Sequence, residues 1–203
     1  MLTSNRFNRK GFTIVELLIV IVVIGILAAI TIVSYNGISG LAENAKTLSA
    51  VATYRRALGL YAVEHHAYPI NTSACLGNAY ANNVCWDGQF SPNATLNSGL
   101  LQYIGNLPMP STLSLSNNSL GGTLFHNGHT GGGAWKLDGV DWYYWIVYMV
   151  KGAKSCNQPG TATLAVDHGA AQLDFTSGTS TGYSGIELGN SYCYVALPDP
   201  TKV

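Results

Sequence analysis

The residues best placed to do chemistry lie near the N-terminus: Arg9-Lys10-Gly11-Phe12-Thr13-Ile14-Val15-Glu16, ahead of an almost unbroken apolar run to Val33. Desolvating a lone carboxylate is costly unless it neutralises or pairs, so Glu16 at the head of such a run implies a partner. Other candidates carry less. His126-Asn127-Gly128-His129 sets two histidines in a Gly-rich stretch without nearby Cys or Glu, and reads as a solvent-exposed loop rather than a metal site. Asp138 with Asp141, and Asp167 with Asp174, could pair carboxylates or hold calcium, but no calcium-loop pattern surrounds them. No serine stands in G-x-S-x-G, and residues 131–133 lack the Lys and Ser/Thr of a phosphate loop. The expectation is a chain that is not an enzyme, with no catalytic residue, cofactor or metal.

The element that positions Glu16 is a long helix, expected from Phe12 to about His66. Residues 17–33 are apolar or small and uncharged, about 26 Å at 1.5 Å per residue. Flanking residues 12–16 and 34–35 bring the run to bilayer length. Arg6, Arg9 and Lys10 precede it and no charge follows until Glu43, so the N-terminus should stay cytoplasmic. Beyond residue 36 the pattern turns amphipathic, with Leu41, Ala45, Leu48, Ala52, Leu58 and Ala62 expected on the buried side. Tyr68-Pro69 should end the helix near His66.

Residues 67–203 read as β-rich. Residues 71–100 suggest a disulfide-pinned loop, and 121–133 a Gly-rich turn or flexible loop. Strands are expected at 142–151, 162–167, 172–175 and 192–197. In the aromatic run, alternation would place Trp142, Tyr144 and Ile146 on one face and Tyr143, Trp145 and Val147 on the other. One face would cover the helix and the other meet a neighbouring subunit. The fold class is α+β: a long helix packed on a C-terminal antiparallel sheet.

Composition bounds the setting. Charged residues make up only 10% of the chain, against about 25% in an average soluble domain. A chain beginning at Phe12 has seven basic and ten acidic residues, and no basic cluster for a phosphate backbone, so direct nucleic-acid binding is disfavoured. Four cysteines allow three pairings, and in an exported chain we expect Cys75 with Cys85 and Cys156 with Cys193. Asn71, Asn93 and Asn117 open triplets that fit a glycosylation acceptor, a frequent chance pattern.

Gly11 after basic residues, Phe12 directly after it and Glu16 five residues into the remainder resemble the prepilin signal of type IV pilins and pseudopilins. Tyr61-Ala62-Val63-Glu64 with Ala67-Tyr68-Pro69 resembles the helix exit of that family, and Gly25 matches a glycine where pilin helices often lose order. The chain departs from the family at Val33, where many members carry proline.

The resemblance implies that a prepilin peptidase cuts between Gly11 and Phe12 and methylates the Phe12 amine. Glu16 would then neutralise that amine on a neighbouring subunit. It further implies a leader at 1–11, a membrane and filament-core half-helix at 12–35, an amphipathic half at 36–66 and a head at 67–203. Assembly would use homologous subunits, a platform protein and an ATPase, taking the chain from the cytoplasmic membrane to an extracellular pilus. A type II secretion pseudopilin is the alternative within the family, and a surface-binding module the alternative outside it.

An ordinary signal peptide cut near Leu27-Ala28-Ala29 would place the cut after the apolar run, and a plain anchor would leave Glu16 without a role. N-terminal sequencing separates the three: methylated Phe12, Ala29 or Ile30, or an intact leader. A charge at Gly11, as in Gly11→Asp, should block cleavage and leave a longer membrane-bound precursor on an immunoblot.

Overall fold

The computed structural model describes residues 12–78, 80–86, 89–110, 121–130, 133–137, 139–152, 161–167, 173–177 and 190–203. The chain divides between Ser39 and Gly40 into two compact units. Helix α1 (Ile14–His65) spans that division in sequence. Its end comes where expected: His66 takes a left-handed φ of 49°, and Tyr68-Pro69 follows.

In the first unit every described side chain from Phe12 to Ile32 is exposed. The Thr31 hydroxyl donates to the Ala28 carbonyl at 2.9 Å, so this polar group is satisfied within its own helix. Helix α1 runs through Gly25 without a break.

In the second unit the buried side of α1 is Thr47, Ala50, Val51, Tyr54, Ala57, Leu58 and Ala62, at spacings of three and four. This corrects the expected stripe. Leu41, Ala45 and Ala52 are exposed. The large ring of Tyr54 is wholly buried and its hydroxyl donates to the Pro108 carbonyl at 2.7 Å. Counting small apolar residues placed the stripe slightly to one side of this aromatic anchor.

The remaining elements are β1 (Ala74–Cys75), α2 (Ala94–Leu101), β2 (Leu124–Asn127), β3 (Trp135–Leu137), β4 (Val140–Trp142), β5 (Tyr144–Lys151), β6 (Thr161–Asp167), β7 (Leu173–Ser177) and β8 (Asn190–Leu197). The strands form one sheet in the order β1-β2-β5-β8-β6-β7-β3-β4. Neighbours are antiparallel except β3 and β7, which run parallel, so the sheet is mixed at one junction. The α+β class stands.

The four expected strands correspond to β5 with the end of β4, β6, β7 and β8. Two expected loops contain more structure. Residues 121–133 hold β2, whose four residues are all buried between β1 and β5. Its flanking glycines are there for close approach. At Gly122, with φ of +107°, a Cβ would lie 2.5 Å from the Tyr80 ring. At Gly128 a Cβ would collide with the Gly133 carbonyl oxygen. Residues 71–100 hold α2, capped by Asn93, whose Oδ1 accepts from the Leu96 N–H at 3.0 Å.

The sheet is rolled. Strand β4 lies at its far edge, yet one residue of chain joins it to β5, the third strand from the other edge. Trp135 on β3 accordingly stacks on His126 of β2, with ring centroids 4.1 Å apart, and meets Trp145 of β5 at 5.7 Å. Two cores result. Tyr54, Leu58 and Ala62 of α1 pack with Leu96 and Leu100 of α2 against Phe125, Ile146, Tyr148 and Val195 of the sheet. On the opposite face Leu124, Trp145, Val147 and Tyr194 pack with Trp135 and the Cys75–Cys85 segment.

The second core overturns the expectation that this face meets a neighbour. Trp145 and Val147 are buried within the chain itself, with Trp135 of β3 set against Trp145. The alternation also fails at its start: Tyr144 and Ile146 face the α1 side, whereas Trp142 packs with the second core. Tyr143 lies between two strands, so the period of two is reset there. The Trp145 indole N–H donates to the Trp142 carbonyl at 3.0 Å and holds the corner.

One further contact ties α1 to the sheet within this unit. The Asn44 amide donates to the Lys151 carbonyl at 3.0 Å and accepts from its N–H at 2.6 Å, acting as a strand partner at the end of β5.

The corrected stripe is testable. Leu58→Ala should cost about 2–5 kcal/mol, whereas Leu41→Ala should change stability by no more than about 0.5 kcal/mol. Thermal unfolding of the detergent-solubilised chain by circular dichroism measures both.

Candidate functional site

The head of α1 is built from three residues. Phe12 is 83% exposed, and Gly11 lies outside the described residues. Thr13 stands immediately before the helix. Its backbone N–H and its hydroxyl both donate to Glu16 Oε2, at 2.8 and 2.7 Å. The Glu16 N–H returns a bond to the Thr13 hydroxyl oxygen at 3.2 Å. This is a reciprocal capping box, with threonine at the N-cap and glutamate at the third helical position. A carboxylate in the first turn also complements the helix dipole.

Sequence reasoning passed over Thr13. The signal was present: Thr-x-x-Glu directly before an apolar run is a capping-box pattern. Behind the box, residues Ile14–Ile32 are long and apolar enough to cross a membrane, and none of that surface is buried in the chain.

The Prokaryotic N-terminal methylation motif matches residues 6–32. The stretch includes Gly11, Phe12, Thr13, Glu16 and most of the apolar run. The N-terminal third thus carries this motif and resembles that of the proteins below. The chain is similar to type II secretion system core protein G of Escherichia coli, 34% identical over 62 residues, covering 30% of this chain and 43% of that protein. It is also similar to a type IV major pilin protein of Neisseria gonorrhoeae, 28% identical over 93 residues, covering 46% of this chain and 42% of that protein. A fimbrial protein of Neisseria meningitidis is 27% identical over 93 residues, covering 46% of this chain and 53% of that protein. The chain thus spans about half or less of the length of these curated relatives. No solved structure gives a significant match.

Outside the matched segment, the other candidate residues fall into separate environments. Cys75 and Cys85 form a disulfide that closes a short loop beside β2. Cys193 is also disulfide-bonded; its expected partner, Cys156, lies outside the described residues. Asp141 is ion-paired with Lys136, Nζ to Oδ1 at 2.9 Å, and Asp138 lies outside the described residues. Asp167 and Asp174 stand on paired strands, β6 and β7. Among the described residues no group of three His, Cys, Asp or Glu side chains comes together.

The histidines do not share an exposed loop, which corrects the sequence reading. His126 is a buried β2 residue, and only His129 is exposed, its ring stacked on Tyr143 with centroids 3.9 Å apart. His126 Nδ1 lies 3.3 Å from the Ser73 hydroxyl, and its Nε2 has no hydrogen-bond partner among the described residues. Burial holds its pKa down at about 4.

The sign of the pH effect follows. Between its ordinary 6.5 and about 4, the unfolded chain binds this proton and the folded chain does not. Stability should therefore fall as pH drops through that window, by at most about 3 kcal/mol. Melting temperatures measured from pH 7 to pH 4 should fall less steeply for His126→Phe than for the unaltered chain.

Proposed function

We propose that this chain is a structural subunit of a type IV pilus-like filament. The observation that carries the reading is the methylation motif at 6–32, set on an apolar helix whose surface is wholly uncovered. An apolar surface of that size calls for lipid or other helices around it. Both are available to a pilin in turn, in the membrane before assembly and in the filament core after it.

The steps follow from the same residues. Arg6, Arg9 and Lys10 hold the leader on the cytoplasmic side. A prepilin peptidase cuts between Gly11 and Phe12, where an absent side chain admits close approach to the backbone. The exposed Phe12 amine is methylated. In the membrane the Glu16 carboxylate is kept hydrogen-bonded by Thr13. On assembly the Phe12 ammonium of a neighbour pairs with it, and in a low-dielectric bundle that pairing recovers its desolvation cost only in correct register.

Transfer from lipid to helix contacts is nearly neutral in apolar burial, so the charge pair and head contacts supply the direction. Motor ATPases and a platform protein drive the step. The chain itself performs no catalysis, and its heads form the extracellular surface of the filament.

The similarity to type II secretion core protein G supports a second reading, a pseudopilin building a short filament for secretion. Loss of long surface filaments on deletion favours the pilus, and a secretion defect without such filaments favours the pseudopilus.

Glu16→Ala should be processed and inserted normally but give little or no filament in shear fractions and electron micrographs. Thr13→Ala, which removes the capping box but keeps the carboxylate, should retain most assembly. Wild-type filament yield from Glu16→Ala would overturn the role given to Glu16.

A further inference from the structure

The corner where β4 passes into β5 borders a cleft of about 300 Å³, closed on its other side by the C-terminal turn. That volume lies at the lower end of the range for small-molecule sites, roughly 300–1,000 Å³. Its lining includes Trp142, Tyr143 and Tyr144, the acidic residues Asp141 and Asp199, and Lys202. We propose that this cleft binds a neutral saccharide.

Three features select that ligand class. The first is the aromatic wall. Tyr143 is 37% exposed, yet its ring is held by stacking on His129 at 3.9 Å. Tyr144 is held in turn by Tyr68, with centroids 4.7 Å apart. Fixed aromatic rings offer flat, electron-rich faces to the slightly positive C–H face of a pyranose.

The second is the preset polar rim. Asp199 Oδ1 accepts from the Thr201 N–H at 3.0 Å and from the Thr201 hydroxyl at 2.8 Å, which fixes the carboxylate in place. Asp141 uses Oδ1 for Lys136. Each carboxylate has about four lone-pair sites, so capacity remains for sugar hydroxyls, and Lys202 offers donors.

The third is charge. Asp141 is matched by Lys136 at 2.9 Å and Asp199 by Lys202 at 3.2 Å. With both carboxylates paired, an organic cation gains little from the aromatic wall and an anion little from the lysine. A purely apolar ligand would strip water from these groups without replacing its hydrogen bonds. A polyol satisfies all three conditions. The inference goes beyond the filament reading and does not depend on it, because binding is read on the single chain.

The test uses the full chain in a polyoxyethylene detergent, which lacks a sugar headgroup. Cellobiose and maltose are titrated by tryptophan fluorescence and saturation-transfer NMR, with tetramethylammonium and inorganic phosphate as charged probes. The expected result is saturable binding of at least one disaccharide with a Kd on the order of 1 mM. Tyr143→Ala and Asp141→Ala should each weaken it about tenfold or more while leaving the melting temperature unchanged. Neither charged probe should displace the sugar. Absence of saturable disaccharide binding, binding indifferent to both substitutions, or displacement by tetramethylammonium would each overturn the proposal.

Discussion

An exposed apolar helix surface over residues 12–32 governs this protein. From Phe12 to Ile32 every side chain is exposed, and a helix of that composition is stable only among lipid tails or other apolar helices. The backbone is satisfied internally, and Thr31 closes its hydroxyl onto its own helix. The unsatisfied quantity is therefore the apolar surface itself, together with one charge at its head. The Thr13–Glu16 capping box answers the second problem within one chain. The first calls for lipid or other apolar helices.

The head unit solves the opposite problem, burying large aromatic side chains with few charges. It does so by presenting both faces of one sheet to apolar partners. One face takes the Tyr54–Leu58 side of α1, and the other is closed by rolling β3 back over β2 and β5. A rolled sheet needs a tight corner, which falls at Tyr143, where the strand alternation resets. The same corner places three consecutive aromatic residues beside the C-terminal turn and so creates the cleft. Packing and recognition here share one geometric cause.

Local signals were legible where the chain interacts mainly with itself or its solvent. The extent of α1 followed from composition and from Tyr68-Pro69, and β6, β7 and β8 from β-rich runs between turn residues. Strand β2 was not legible, because Leu124-Phe125-His126-Asn127 sits among glycines that imitate a loop. Those glycines are required by the approach of Tyr80, distant in sequence, to Gly122 and by the close return of the chain at Gly133 onto Gly128. His126 was misplaced for the same reason: nothing local announces that Trp135 will cover it. The buried side of α1 was displaced because Ala45 and Ala52 look as apolar as Ala50 until the position of Tyr54 is known.

What could be read along the chain alone was the N-terminal third: a basic segment, a Gly-Phe junction, a glutamate at a set distance and a bilayer-length helix. These are one-dimensional properties, read along the chain as charge, length and spacing. It took the folded chain to show that the aromatic strand is covered on both faces and that the corner opens into a cleft. Each depends on which residues are brought together in space by long-range β-pairing in the second unit. Pair contacts of that kind leave little trace in local composition.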